Sequence, residues 1–329
     1  MADQSLDELE ALVTPLFNQI RNADIGPSYP TEPAFSDQQL PAVLTSKTLK
    51  DNYGLAYNFP IPSTLQVYRN KPEQYLSNLI GHEGEGSLHH LLNAKGWIEG
   101  LSAGSQDLDR NTSLLTVSIE LTEAGRAHVE EITDLLFQYV NMLRAQPPQD
   151  WLYQEQAKVA ELGFRFQEKG STVGFVYQMA PSLDLYPAGD LLVAPYLMEA
   201  FDPALIEQFL GYLRPDNVLL EITAPDSVTD QIEPWFEVPF ALQRAPLARQ
   251  AVADATLHLP EVNPYLPEKL DLVPADEQVM RRVIDDPQLT LWLDTDVEFG
   301  TPRANMTLGF LTPEGALNAK DRAQGRLYQ

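Results

Sequence analysis

Leu115, Val117, Ile119 and Leu121 alternate with polar residues, and a few residues later the spacing changes, so that Val129, Ile132, Leu135, Leu136, Tyr139, Val140 and Leu143 share one side. A period of two is that of a half-buried strand, and one near 3.6 is that of an amphipathic helix. A strand that feeds straight into a long one-sided helix needs a sheet for the helix to cover, so the chain must build helices on a sheet. Thr122 is expected to end the strand and cap the helix, and Pro147-Pro148 to follow its end.

The same reading extends along the chain. Leu6, Leu9, Leu12, Val13, Leu16, Phe17 and Ile20 form one stripe, so a helix is expected over residues 5–21. The proline-rich stretch through Pro27, Pro30, Pro33 and Pro41 reads as a turn into a new domain. Leu55 to Pro62 reads as a strand ending at prolines. Pro72 opens a helix with Tyr75, Leu76, Leu79 and Ile80 on one face, stopped by Gly81. Ser87 can cap the next helix, which carries Leu88, Leu91 and Leu92 and stops at Gly96. Trp151 to Phe166 is amphipathic, and Asp202-Pro203 starts a helix expected to run to Leu213. A turn at Arg214 to Asn217 leads into the strand Val218 to Ile222. The fold class is α+β, a sheet with helices packed on it. Beyond Ile222, Pro234, Pro239, Pro246, Pro260, Pro264 and Pro267 predict an extended connector. Leu289 to Leu293 and Ala304 to Phe310 are expected to be two neighbouring strands, with too little chain after them to complete a domain.

The 329 residues carry 44% hydrophobic residues and 9% aromatics, ample for a packed core. No apolar run approaches the roughly 20 residues that span a bilayer, so no membrane helix is expected. A net charge of −25 repels phosphate backbones and anionic lipid, which argues against nucleic acid and membranes as partners. With no cysteine there is no disulfide or thiolate chemistry, and cytoplasm and periplasm are equally compatible.

Catalytic chemistry is expected to be absent. The histidines follow Gly81, Leu88, His89, Ala127 and Leu257, so neither His-x-x-Glu-His nor His-Glu-x-x-His can be written. His82, Glu83, His89 and His90 are metal-ligand types in one turn-helix unit, but adjacent His89 and His90 point about 100° apart on a helix. Glu83 and Glu85 lack any sign of the sculpted cleft that acid-base work on a sugar needs. Ser87 is no nucleophile elbow, since residue 89 is His, and Gly81 to Gly86 lacks the Lys-Ser/Thr ending of a phosphate loop.

Leu79-Ile80-Gly81-His82-Glu83-Gly84-Glu85-Gly86-Ser87-Leu88 with Lys95-Gly96-Trp97 resembles the second repeat of the pitrilysin and insulin-degrading group of zinc metallopeptidases. Phe137 to Arg144 with Trp151, Gln154 and Phe164-Arg165-Phe166, then Leu213 to Val218, are similar to the same repeat, and Leu259 to Tyr265 resembles the connector between the family's halves. The resemblance implies a pitrilysin-like architecture in which residues 1–28 are the last helix of a preceding repeat and 29–240 a second, non-catalytic repeat. Residues 241–270 would then be the linker between halves, and 271–329 the start of an incomplete third repeat. It implies zinc in another repeat, none bound here, and a chain inactive by itself. It also implies an exosite holding the N-terminal end of a peptide substrate. Gly81 and Glu83 match its first strip, and Leu101, Gly104 and Gln106 its second. The second strip is one residue longer than the insulin-degrading pattern, and Asn78 stands where that pattern has a histidine. The function implied is a chamber and exosite segment of a zinc endopeptidase, partnered by peptides and by the missing catalytic and C-terminal repeats. The alternative is a self-standing peptide-binding or partner subunit of a separate active peptidase.

Overall fold

The computed structural model describes residues 4–24, 26, 32, 34–36, 38–50, 52–167, 170–247, 256–267, 269–271, 280–295, 297, 301–310 and 319–320. The chain divides into two compact units, Met1–Leu266 and Pro267–Gln329. In order, the first holds α1 (Leu6–Phe17), β1 (Ala42–Lys47), β2 (Gly54–Pro62), α2 (Pro72–Ile80), α3 (Leu88–Ala94), β3 (Ile98–Asp107) and β4 (Thr112–Leu121). It continues with α4 (Val129–Arg144), α5 (Asp150–Arg165), α6 (Thr172–Ser182), α7 (Pro203–Leu210), β5 (Leu219–Ala224), β6 (Gln231–Ile232) and β7 (Pro239–Arg244).

Among the described residues seven strands make one sheet in the order β3-β4-β2-β5-β1-β7-β6. β1 and β5 run parallel and the remaining pairs are antiparallel. The sheet is built around β4 and β2, whose registered pairs Tyr57↔Val117 and Phe59↔Leu115 are fully buried. The expected α+β architecture is therefore present, with α2 and α4 covering the sheet. Ile132, Leu136, Tyr139 and Val140 of α4 are buried on the core side, as the 3.6-residue period requires. Two tyrosine hydroxyls satisfy themselves inside this core. Tyr57 Oη bonds Thr133 Oγ1 at 2.8 Å, and Tyr139 Oη donates to the Leu79 carbonyl at 2.8 Å, tying α4 to the last turn of α2. Pro60 and Pro62 fit in β2 because β5 pairs only with Gly54 to Asn58, which leaves that side of the prolines without a ladder to complete.

Several local expectations change in detail. Thr122 Oγ1 accepts the Gly125 N–H at 3.0 Å, so it caps a single 3-10 turn, Gly125–His128, that leads into α4 rather than capping α4 itself. α7 ends at Leu210, short of Leu213, because Arg144 of α4 donates to the Leu210 and Leu213 carbonyls at 3.1 and 2.8 Å and closes the helix end there. The extended stretch after Ile222 is partly sheet: β7 pairs with β1 and β6 with β7. Only Ala241 of β7 is fully buried, so an edge strand of this kind leaves almost no periodic signal. β1, β3 and α6 likewise escape the periodicity, β3 because its second half is exposed on both faces. Pro27, Pro30 and Pro33 lie outside the described residues.

α1 is closed by a capping box, the Glu8 N–H donating to Ser5 Oγ at 3.3 Å and the Ser5 N–H to Glu8 Oε2 at 2.7 Å. Its apolar stripe is exposed, Leu6 at 84% and Leu16 at 72%. In the second unit, β8 (Arg281–Asp286) and β9 (Leu289–Leu293) form an antiparallel hairpin. β9 is the strand expected over Leu289 to Leu293, but its partner is β8, and Ala304 to Phe310 is not a strand. Alternation supplies a face without supplying a partner, whereas Asp286 to Leu289 supplies a tight turn whose Gln288 N–H donates to Asp286 Oδ1 at 2.9 Å.

Glu73, in the first turn of α2, is 5% exposed, and burial pushes its carboxyl up to about 7 against the pull of Lys71. A carboxyl raised above its unfolded value favours the folded state while protonated. That contribution is complete below about 4.5 and is lost as pH rises through about 7. Glu73→Gln should thus unfold at higher urea than the parent chain at pH 8, by on the order of 2 kcal/mol, with the gap closing by pH 4.5. A second denaturation comparison checks the core. Leu115→Ala, at a fully buried site, should cost about 2–5 kcal/mol, and Leu12→Ala, at an exposed one, less than about 0.5.

Candidate functional site

The residues singled out in the sequence converge at the end of α2. Tyr139 holds the Leu79 carbonyl, and the helix closes at Gly81, whose N–H donates to the Ser77 carbonyl at 2.9 Å. Gly81 then passes against β3: a Cβ there would lie 3.1 Å from Ser77 O and 3.2 Å from the Ala103 nitrogen. Any side chain there would force the turn or the strand to give by a few tenths of an ångström. Gly81 thus sits beside Ala103, between Leu101 and Gly104 of the second strip.

From Gly81 the backbone runs over a short turn. His82 Nδ1 accepts the Gly84 N–H at 3.0 Å, the Gly84 carbonyl accepts the Ser87 N–H at 3.1 Å, and Ser87 Oγ accepts the His90 N–H at 3.0 Å to start α3. Ser87 is therefore a helix cap, as expected. Glu83 projects from this turn and is exposed. His82 is held below its ordinary value by burial, with Glu83 pulling the other way, so its ring is neutral near pH 7.

β3 is the terminal strand of the sheet, with β4 on one side and no strand on the other among the described residues. Gly104 and Gln106 are exposed on it. Leu101 is 7% exposed and belongs to the core, so it can offer a ligand only its backbone. Asn78 is exposed on α2, one turn before Gly81. Leu101, Gly104 and Gln106 thus lie on the edge strand, and Asn78, Gly81 and Glu83 on the helix end and turn that meet it at Ala103. An edge strand presents a row of backbone donors and acceptors at every second residue, which an extended polypeptide can complete.

Sequence reasoning missed that the connector borders this site. The His258 N–H donates to the Gly86 carbonyl at 3.0 Å, and the Asn263 N–H donates to Glu155 Oε1 of α5 at 3.0 Å. Gly86 has φ +81°, and a Cβ on it would lie 2.4 Å from the His258 ring. The glycine spacing of the turn was the available signal, since each glycine accommodates an imidazole: Gly84 that of His82, and Gly86 that of His258.

Among the described residues no group of three or more His, Asp or Glu is arranged to hold a metal ion. The zinc that the resemblance implies finds no donor set at this site, where His82 Nδ1 is already engaged by the turn. Nor is any helix among the described residues long and apolar enough to cross a membrane.

Residues 1–159 match the family model described as the peptidase M16 inactive domain, and residues 164–329 the one described as the middle or third domain of peptidase M16. Insulin-degrading enzyme of Homo sapiens is 33% identical over 321 residues, covering 94% of this chain and 31% of its own. Insulin-degrading enzyme-like 1, peroxisomal, of Arabidopsis thaliana is 32% identical over 320 residues, covering 94% and 33%. The crystal structure of pitrilysin superposes with a TM-score of 0.78 at 22% identity over 91% of this chain and 33% of that one, which establishes a shared fold. The chain spans about a third of the length of these relatives. It belongs to the peptidase M16 family, of which it carries regions matching the inactive domain and the middle or third domain.

Proposed function

We propose that this chain is the peptide-holding, non-catalytic segment of an M16 zinc endopeptidase, acting in proteolysis together with a zinc-bearing repeat that it does not itself contain. The observation that carries the reading is the exposed edge of β3 with the Gly81 turn pressed against it. A peptide laid along β3 pairs its backbone with alternate residues of the strand, the bare backbone at Gly104 allows close approach, and Gln106 offers an amide to a peptide group. The peptide's terminal ammonium pairs with the Glu83 carboxylate at the adjoining turn. The net charge of −25 favours cationic peptides over anionic ones. The names of the insulin-degrading relatives support a peptide substrate.

We infer that residues 29–240 correspond to one repeat, with β7 carrying its sheet on to Arg244, and that 1–28 belong to a preceding repeat. Residues 241–270 are then the connector and 271–329 the opening of the next repeat. The break between compact units at Leu266 and Pro267 supports the last of these.

The test is a pair of affinities measured by fluorescence anisotropy, with insulin B chain labelled at its C-terminal end and either free or acetylated at its N-terminus. Glu83→Gln should weaken the free peptide about 5-fold, the ~1 kcal/mol that an exposed charge-assisted pair contributes, and leave the acetylated peptide unchanged. Equal affinities of the two peptides for both proteins would refute the assignment of Glu83.

A further inference from the structure

Beside the Gly81–Gly86 turn, a partly open cavity of about 690 Å³ is lined mainly by α2, α5 and the connector. The connector is its outer wall, fastened at Gly86 by His258 and at Glu155 by Asn263. Asn78, His82 and Gly84, from the helix end and turn of the proposed peptide site, are part of its lining.

Its lining combines two kinds of surface. Leu152, Val159 and Met198 offer an apolar wall, while Glu85, Glu155 and Glu261 bring three carboxylates. Among the described residues of the lining Lys71 is the lone Lys or Arg, and it interacts with the buried carboxyl of Glu73 as well as with Asp107. Of the two imidazoles in the lining, His82 is held below its ordinary value by burial, and His258 Nδ1 donates to the Leu259 carbonyl at 2.8 Å. The most telling group is Gln156 of α5. Both ends of its amide, Oε1 and Nε2, are buried, and neither has a hydrogen-bond partner among the described residues. A buried amide left unpaired costs on the order of 1–3 kcal/mol per group.

An arginine or lysine side chain suits this lining: its methylene stem needs an apolar wall, and its head needs anionic acceptors. Arginine matches better, because its planar fork can donate to two carboxylates of the lining together. We propose that this cavity is a specificity pocket that receives a basic side chain of the peptide held at the Gly81 turn and β3. The proposal deepens the peptide-holding role and rests on it for the identity of the ligand as a peptide, though the pocket itself can be probed separately.

The probe is Nα-acetyl-L-arginine amide, which has no free terminus for Glu83 to recognise, titrated into the ¹⁵N-labelled 329-residue chain and followed by ¹H–¹⁵N NMR. Saturable shifts are expected at Asn78, Gln156 and Glu261, with Nα-acetyl-L-norleucine amide binding at least 10-fold more weakly. Gln156→Leu combined with Glu261→Gln should remove the preference for arginine, whereas Glu83→Gln should leave it intact. Absence of saturable shifts at the lining, or equal binding of the two amides to the parent chain, would overturn the proposal. The arginine-to-norleucine comparison on the parent chain decides the matter even if the double variant does not fold. The two readings fail differently. Arginine-selective shifts alongside an insulin B chain indifferent to Glu83 would remove the Glu83 assignment and keep the pocket, and the reverse result would remove the pocket alone.

Discussion

The contact on which the rest of this structure depends is the burial of one face of α4 on the centre of the sheet. Ile132, Leu136, Tyr139 and Val140 are fully buried against the layer built on β2 and β4. Each large side chain removed from water contributes roughly 1.5–3 kcal/mol, so this face alone is a substantial part of what orders the domain. Tyr139 converts that packing into geometry. Its hydroxyl would be costly to bury alone, and the Leu79 carbonyl that accepts its hydrogen lies in the last turn of α2, two residues before Gly81. The core thereby fixes the point at which the chain leaves α2 and meets β3. The peptide site proposed at this helix end and strand edge would owe its relative placement to groups that no ligand touches.

The parts of the fold that were legible in the sequence are those with a buried and an exposed face. β4 and α4 announced themselves because Leu115 to Leu121 and Val129 to Leu143 each place their apolar residues on a single side. β7 and β3 did not, since an edge strand is half solvated and its pairing is decided by a distant partner that local spacing cannot encode. The end of α7 was misjudged because the group that closes it, Arg144, is on another helix. At the candidate site the glycines were legible as a motif, while their reasons were not. Gly81 is favoured by the close Ala103 backbone, and Gly86 is required by its positive φ and the His258 ring, and both neighbours are remote in sequence. The pocket behind the turn was invisible for the same cause, since its wall is formed by residues from 258 onward.

The electrostatic character of the chain and the chemistry of its site point the same way. An excess of carboxylates is a diffuse attraction for cationic polymers, and by itself it concerns solubility as much as recognition. Here it is given direction by placement, with Glu83 at the head of the strand edge and Glu85 and Glu261 around the cavity. A segment that grips a substrate away from the reacting bond contributes to catalysis by positioning, because binding remote from the chemistry can be used to orient the bond to be cut.

The central claim is that β3 acts as a template for an added strand. Amide hydrogen exchange along β3, measured by NMR on the 329-residue chain with and without saturating insulin B chain, tests it most directly. From Gly100 to Asp107, where the register with β4 is regular, every second amide faces the open edge. Strand addition predicts that these alternate amides slow at least 10-fold on binding while the amides paired with β4 do not change. Uniform protection of the whole strand, or none, would contradict it.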